Sequence, residues 1–510
     1  MESYLLPAII ALPAIASIII MLMPAEDATG PRMLSSFASL LTVVLSVVAY
    51  ILYDPSNPRN FELNIPWVER LGMHFHLAAD GVSIAMLLLT SITIFTGCLI
   101  SWEIKERQKE FFALLLLLVS GVFGVFVSFD MFLFLVFYEL AVLPMYLLIG
   151  IWGTGKKEYS AMKLTLYLML GSALLIIPIF GVYVQAHAAT GVWSFDYDFL
   201  MKNFTVDESW QYIFYPMIFV GFGTIGGLWP VHTWSPDGHA SAPSAVSMLH
   251  AGVLMKLGGY GIIRIGLQFM PYGAHEWSLF FACLTVINIV YGSLSAMRQT
   301  DLKYIIAYSS VSHLGIVTLG ICTLTPAGIN GAVYQMFAHG IMTALLFALV
   351  GVVYGKLHSR QITEMGGLAK VMPFTAVAFG FAGMTGLGLP GLSGFVSELL
   401  VLTGAFSAGV AGVPSPAMKY IALICLTGVV FTAIYVLRAV QRIFFGDHTA
   451  ALLKNEHFHH LVDTDKREVF ALSVLMLTIV LAGAYPAWII DLINSGLTHS
   501  IFPALGISGN

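Results

Sequence analysis

The chain has 510 residues, of which 58% are hydrophobic and 10% charged, with a formal net charge of −5. An ordinary soluble domain carries roughly 25% charged residues, so a soluble enzyme or binding module is excluded and an integral membrane protein is left. With no basic patch, no GxxxxGK[ST] loop and no GxGxxG opening a helix after a strand, nucleic-acid binding and ATP-driven pumping are disfavoured.

Runs of about 18 or more apolar residues, each able to cross a hydrocarbon core as a helix, recur from end to end. The predicted spans are 4–23, 34–53, 81–100, 111–129, 131–152, 159–184 and 212–234, followed by 242–267, 277–297, 304–321, 331–353, 373–406, 418–440 and 469–492. This is an all-α integral membrane fold of about 14 transmembrane helices in one polytopic domain, 1–510. No basic stretch precedes the first run, so it reads as a retained span and not a cleaved signal peptide. The four cysteines (Cys98, Cys283, Cys322, Cys425) are scattered, without CxxC, which argues against an iron–sulfur cluster or zinc site here. Neither a cofactor nor a metal is expected in this chain.

Charge in the connections supports the topology. Alternate connections hold sixteen Lys and Arg, among them Lys105, Lys156, Arg298, Arg360 and Arg467. The opposite set holds five: Arg59, Arg70 and Lys202, with Arg264 and Lys419 at span ends. By the positive-inside rule the rich set is cytoplasmic, which puts both termini on the periplasmic side of a bacterial inner membrane.

Two spans are broken. The seventh reads GGLWPVHTWSPDGH, with Pro230 and Pro236 near its inner end, and the twelfth reads TGLGLPGLSGFVSE, with Pro390 among glycines. Proline removes a backbone donor and glycine loosens a helix, and irregular backbone at membrane depth is tolerated only when it is buried in protein or lines a wet cavity. Spans four to eight (111–268) and nine to thirteen (276–444) are consecutive sets of five, each broken at its fourth member. A five-helix unit repeated in tandem is inverted relative to the membrane, the layout of secondary transporters.

An ionisable residue inside a span is costly and is a functional hypothesis by default. Glu139 lies in FLVFYELAVLPMYLLIGIWG, Lys256 in MLHAGVLMKLGGYGIIRIG, His313 in AYSSVSHLGIV, His339 in VYQMFAHGIMTALLF, and Glu398 follows the second break. Carboxylate, ammonium and imidazole can each be tuned to accept and release protons, and a row of them is a proton relay. Buried ion pairs that merely lock helices are the competing reading. Ser309 and Gln335, one turn before the two histidines, are possible partners on the same helix faces. His457, His459 and His460 sit in a polar cytoplasmic loop and read as a solvated segment. His74 and His76 read as outer-loop residues with no acidic ligand set near them.

The stretches LAADGVSIAML, FYELAVLPMYLLIGIWG, PVHTWSPDGHASAPSAVSMLHAGVLMKLGGYG, QTDLKYIIAYSSVSHLGIV, AHGIMTALLF and GLPGLSGFVSELLVL, in this order, resemble the antiporter-like membrane subunits of respiratory complex I and of multisubunit sodium/proton antiporters. They cover spans three to thirteen. The resemblance implies proton uptake near Lys256, a central relay through His313 and His339, and release near Glu398, driven by quinone reduction in other subunits that hold the flavin and iron–sulfur centres. Glutamate at Glu398, where L-type and N-type subunits carry lysine, favours a complex I subunit with L-type and N-type neighbours in the membrane arm over an antiporter subunit. The chain also ends soon after span fourteen, without the long lateral helix of the L-type. In one respect it departs from the pattern: Ile225 stands where the family places a lysine that pairs with the helix-five glutamate. This keeps open a non-pumping structural spacer as a third reading. Two residues could then serve Glu139: His250 as a substitute base, or Lys163 as a substitute cation.

Overall fold

The computed structural model describes residues 2–24, 27 and 29–507. Two helices, α1 (Leu5–Leu22) and α2 (Gly30–Ile51), precede a hairpin of β1 (Asn60–Val68) and β2 (Met73–Ala79). Then follow α3 (Gly81–Ile100), α4 (Gln108–Val127), α5 (Met131–Trp152), α6 (Lys157–Thr190), the short α7 (Tyr197–Asn203), α8 (Glu208–Ile225) and α9 (Trp234–Ser241). The next span is compound: α10 (Ser244–Leu249), a π-helical turn His250–Leu254, α11 (Lys256–Gly261) and a second π-helical stretch Ile262–Leu267. The remainder comprises α12 (Pro271–Arg298), α13 (Leu302–Cys322), α14 (Pro326–Leu357), α15 (Pro373–Gly386), α16 (Ser393–Ala411), α17 (Met418–Phe444), α18 (Ala450–Leu453), α19 (Lys466–Ala484) and α20 (Ala487–Ala504).

Thirteen spans among the described residues are long and apolar enough to cross a membrane. The sequence expectation is about fourteen; the interrupted α8 (Glu208–Ile225), expected as part of the seventh span, is not among the thirteen. Their starts are set by side chains that take up orphan helix N–H groups: Asp80 for α3, Asp130 for α5, Asp301 for α13, Thr325 for α14, and a reciprocal Asp465–Glu468 capping box for α19. The compound span, α13 and α14 are buried nearly throughout, whereas α1, α2, α17 and α19 keep most of their apolar surface on the outside of the bundle. α14 is the hub, packed against α3, α10, α13, α16 and α19.

Three features differ from the sequence reading. Residues 60–79 form a two-stranded antiparallel ladder, with Asn60 opposite Ala79 and Pro66 opposite His74. The ladder is stitched to the α4–α5 turn and to the segment before α7 by Phe129 N–H to His76 O (2.9 Å), Phe195 N–H to Gly72 O (3.2 Å) and Tyr197 N–H to Phe129 O (2.9 Å). The predicted last span, 469–492, ends at Ala484; Pro486 starts a separate helix, α20, which lies against α3 and α14. Arg264, set at a span end by the sequence, is wholly buried.

Both breaks are real interruptions. Between α8 and α9 the chain passes Gly227 at a φ of +71°, and between α15 and α16 it passes Gly388 at +65°. The first unwound stretch is satisfied by one side chain from α12: Asn288 accepts from Trp229 N–H and donates to Gly227 O at 3.0 Å and Val311 O at 3.3 Å. Trp234 Nε1 reaches back to Thr224 O at 2.9 Å. The Gly227 and Thr224 carbonyls at the break therefore keep protein partners, as a hydrocarbon setting demands.

Candidate functional site

Four ionisable side chains from four helices meet in the buried centre. Lys256, at the start of α11 and 0% exposed, points its Nζ at Nδ1 of His339 on α14, 2.8 Å away, and also donates to the Ala251 carbonyl. That carbonyl is free to accept because the π-helical turn shifts the backbone register just before Lys256. The His339 and His313 rings stack at 5.2 Å and 25°. His313 Nδ1 donates to Ser309 O at 2.8 Å, and its Nε2 lies 3.6 Å from the Glu398 carboxylate and 3.3 Å from the Gly386 carbonyl.

Glu398 folds back over its own helix break. A Cβ on Gly388 would come within 2.7 Å of its Oε2, so glycine is needed there for space as well as for its positive φ. Around the row, the Ser309 hydroxyl lies 2.6 Å from Tyr435 OH, and Ser397 donates to Gln335. Ser309 is thus a partner of His313 as expected, but Gln335 serves Ser397 and not His339.

This arrangement suits proton transfer. Imidazole accepts on one nitrogen while donating from the other, so His339 and His313 can pass a proton between an amine and a carboxylate. His339 Nε2 has no partner among the described residues, and a buried polar atom in that state is where ordered water bridges.

The other sequence-derived residues lie elsewhere. Glu139 is only partly buried and shares the outward-facing stripe of α5 with Val136, Leu143 and Leu147. No Lys or Arg nitrogen forms an ion pair with it among the described residues. Lys163, the substitute cation considered from sequence, pairs instead with Asp237 at 2.7 Å, and Tyr304 OH donates to the same carboxylate at 2.9 Å. Ile225 is fully buried at the end of α8. His250 contacts His239 and Trp234, with ring centroids 4.4 Å and 5.1 Å apart, and makes no hydrogen bond to Glu139. It belongs to a buried histidine pair beside Met255, whose His239 the sequence reading passed over. An ionisable residue next to the first break was the available signal.

The hairpin region also departs from expectation. His76 does have acidic neighbours: Nδ1 lies 2.5 Å from Asp196 and Nε2 3.1 Å from Glu62. Glu62, His76 and Asp198 offer atoms within 4.8 Å of one another, a spacing compatible with a metal ion. Arg59, however, already holds the Asp198 carboxylate, and Asp196 holds the imidazole, so the group is satisfied as ion pairs. Burial presses His76 toward neutrality, but the bond and charge of Asp196 outweigh it and hold the imidazole above its ordinary pKa. Burial likewise pushes Asp196 up, yet the His76 contact leaves it below the usual carboxylate value. Asp130, buried at the start of α5, is pushed up to about 6.

Residues 128–415 match the family described as NADH:quinone oxidoreductase/Mrp antiporter, transmembrane. The chain is 36% identical over 485 residues to NADH-quinone oxidoreductase subunit M of Rhodobacter capsulatus, covering 94% of this chain and 91% of that protein. It is 38% identical over 488 residues to an NAD(P)H-quinone oxidoreductase chain 4 of Synechococcus elongatus, covering 94% and 88%. Among solved structures, a chain of respiratory complex I from Thermus thermophilus superposes with a TM-score of 0.85 at 24% identity, covering 98% of this chain and all of that one. A chain of the Mrp complex from Dietzia sp. gives 0.83 at 19% identity, covering 99% of each.

Proposed function

This chain belongs to the NADH:quinone oxidoreductase/Mrp antiporter family of transmembrane subunits, and from that premise we propose that it is a proton-translocating membrane-arm subunit of a complex-I-type quinone oxidoreductase using NADH or a related donor. The observation that carries the reading is the buried row Lys256–His339–His313–Glu398. Protons taken up from the cytoplasmic side load Lys256, pass to His339 and His313, and leave through Glu398. Residues 111–268 and 276–444 act as two inverted halves. Lys256 belongs to the first and the other three residues to the second, so the Lys256–His339 contact is the joint between them.

Quinone reduction takes place in other subunits, and this chain holds no redox cofactor or metal of its own. The excess of Lys and Arg on alternate connections supports a hairpin face on the periplasmic side of a bacterial inner membrane, with both termini there. Glu139 supports contact with a neighbour of the L or N type. A carboxylate at membrane depth on an outward stripe is costly against lipid and is accommodated where another subunit covers α5. The test is the native complex in liposomes, with protons counted per quinone reduced. Lys256→Ala or Glu398→Gln is expected to lower that ratio in a fully assembled complex, and an unchanged ratio overturns the proposal.

A further inference from the structure

The face of the compound span that carries Lys256 continues toward the hairpin end through Tyr260 and Arg264. Residues four apart lie on one helix face, so Arg264 sits about 12 Å beyond the ammonium along the helix. Between them stands an aromatic collar. The Tyr260 hydroxyl donates to Phe126 O at 2.7 Å, and its ring meets Phe126 edge-on at 5.0 Å and Phe134 face-on at 6.4 Å.

Beyond the collar, the wholly buried Arg264 is held by the Asp80 carboxylate, with Ser83 and Ser500 hydroxyls each 3.4 Å from its nitrogens. Asp80 is itself fixed as the cap of α3, accepting from Ser83 N–H at 3.0 Å. The guanidinium rests against the Tyr260 and Phe129 rings at 5.1 Å and 5.4 Å. Arg59, the next cation toward the surface, rests against Phe129 at 4.3 Å.

Lys256 thus has two very different surroundings. Toward α14 there is a titratable acceptor at 2.8 Å. Toward the hairpin end there is a ring of aromatics, then a guanidinium that stays protonated at any working pH. With donors only, and with the Asp80 carboxylate already engaged by it, the guanidinium offers an arriving proton no free acceptor on this side.

We propose that Arg264, held by Asp80, is a proton seal that closes the hairpin end of the first half and forces the charge on Lys256 to leave sideways through His339. This inference rests on the proton-path reading above. Its test uses the native complex in liposomes holding a pH-sensitive dye, with no electron donor, so that passive leak is read apart from pumping. Asp80→Asn/Arg264→Gln removes the cation without orphaning a carboxylate, and is expected to collapse an imposed pH gradient several-fold faster than wild type. Arg264→Lys keeps the cation and is expected to hold the gradient. Arg264→His is expected to hold it at acidic pH and to leak as pH rises through the histidine range, since only the protonated imidazole seals. Adding Lys256→Ala to the leaky double variant is expected to restore slow decay.

Wild-type decay in the double variant overturns the seal, as does a leak that persists without Lys256 or a histidine variant whose leak ignores pH. Turnover-driven pumping by Lys256→Ala alone reports on the proton path itself, so the two failures are distinguishable.

Discussion

The Lys256 ammonium and the His339 imidazole lie 2.8 Å apart in a fully buried pocket, although 83 residues separate them in the chain. Two basic groups so close cannot both be protonated at tolerable cost in a low-dielectric interior. On the proton-path reading proposed above, the two share one proton, and its position is the state of the joint.

If they act as a unit, their removal is not additive. Lys256→Ala and His339→Ala are each expected to slow proton delivery through this subunit by about a hundredfold or more, the low end for loss of a positioned proton-transfer group. The double variant is expected to be no worse than either single one. Proton-to-quinone ratios in reconstituted complex measure this, and additive losses would show that the two residues work separately.

Glu398 depends on Gly388 for its position. Alanine at 388 would place a methyl 2.7 Å from the carboxylate and would itself be strained at a φ of +65°. Gly388→Ala is therefore expected to cost about 1–2 kcal/mol for a left-handed non-glycine residue and to move the carboxylate off His313. Pumping should fall although every titratable group remains. Glu398→Gln keeps the fit beneath Gly388 and should fail by losing the proton alone, with normal thermal stability of the assembled complex. A Gly388→Ala variant that pumps normally would argue against the 3.6 Å contact being on the path.

Much of this site was legible in the sequence, for a simple physical reason. A charge inside a long apolar run is an anomaly, and Lys256, His313, His339 and Glu398 stood out as such. Proline and glycine marked both breaks equally well. Direction was not legible. α5 is apolar all round, so nothing local told which side of Glu139 faces the bundle, and the structure turns it outward. Pairing was not legible either. Lys163 has Asp237 on the far side of a break as its partner, and Arg264 has Asp80, 184 residues away. The hairpin was missed because its strands, nine and seven residues long, are too short to span a membrane and carry polar residues among the apolar ones, so beside the long apolar runs they resembled an outer loop.

Glu139 yields a prediction from that outward direction. A carboxylate shared with a covering subunit contributes to the joint between subunits, whereas one facing lipid is only a liability. Glu139→Leu is expected to loosen the neighbouring membrane subunit, read as partial loss of that subunit when the complex is purified in detergent. Glu139→Gln, which keeps a hydrogen-bonding group, is expected to retain it. Equal retention in both variants would mean that lipid covers this stripe.

The last prediction concerns pH at the hairpin, where His76, Asp196 and Asp130 join β2, the segment before α7 and the start of α5. His76 is held above its ordinary value of 6.5, so its contribution to docking is complete below that value and is lost as pH rises through the raised one. Asp196 is held below its ordinary 3.8, so its contribution is present above that value and is lost as pH falls through the lowered one. Asp130, pushed up to about 6 by burial, favours its protonated form in the fold and adds stability that declines as pH rises from 3.8 toward 6. All three act together only in a mildly acidic window, and docking weakens as pH climbs through and beyond the histidine range. Hydrogen exchange of residues 60–79 and 194–199, corrected for intrinsic rates, should therefore show clearly less protection at pH 8.5 than at pH 6, with the core of α14 unchanged. His76→Gln keeps a hydrogen bond to Asp196 but cannot titrate, so most of the pH dependence should vanish with it. Protection that is flat across this range in the wild type would mean that the imidazole stays in one protonation state and that the hairpin is held by its backbone ladder alone.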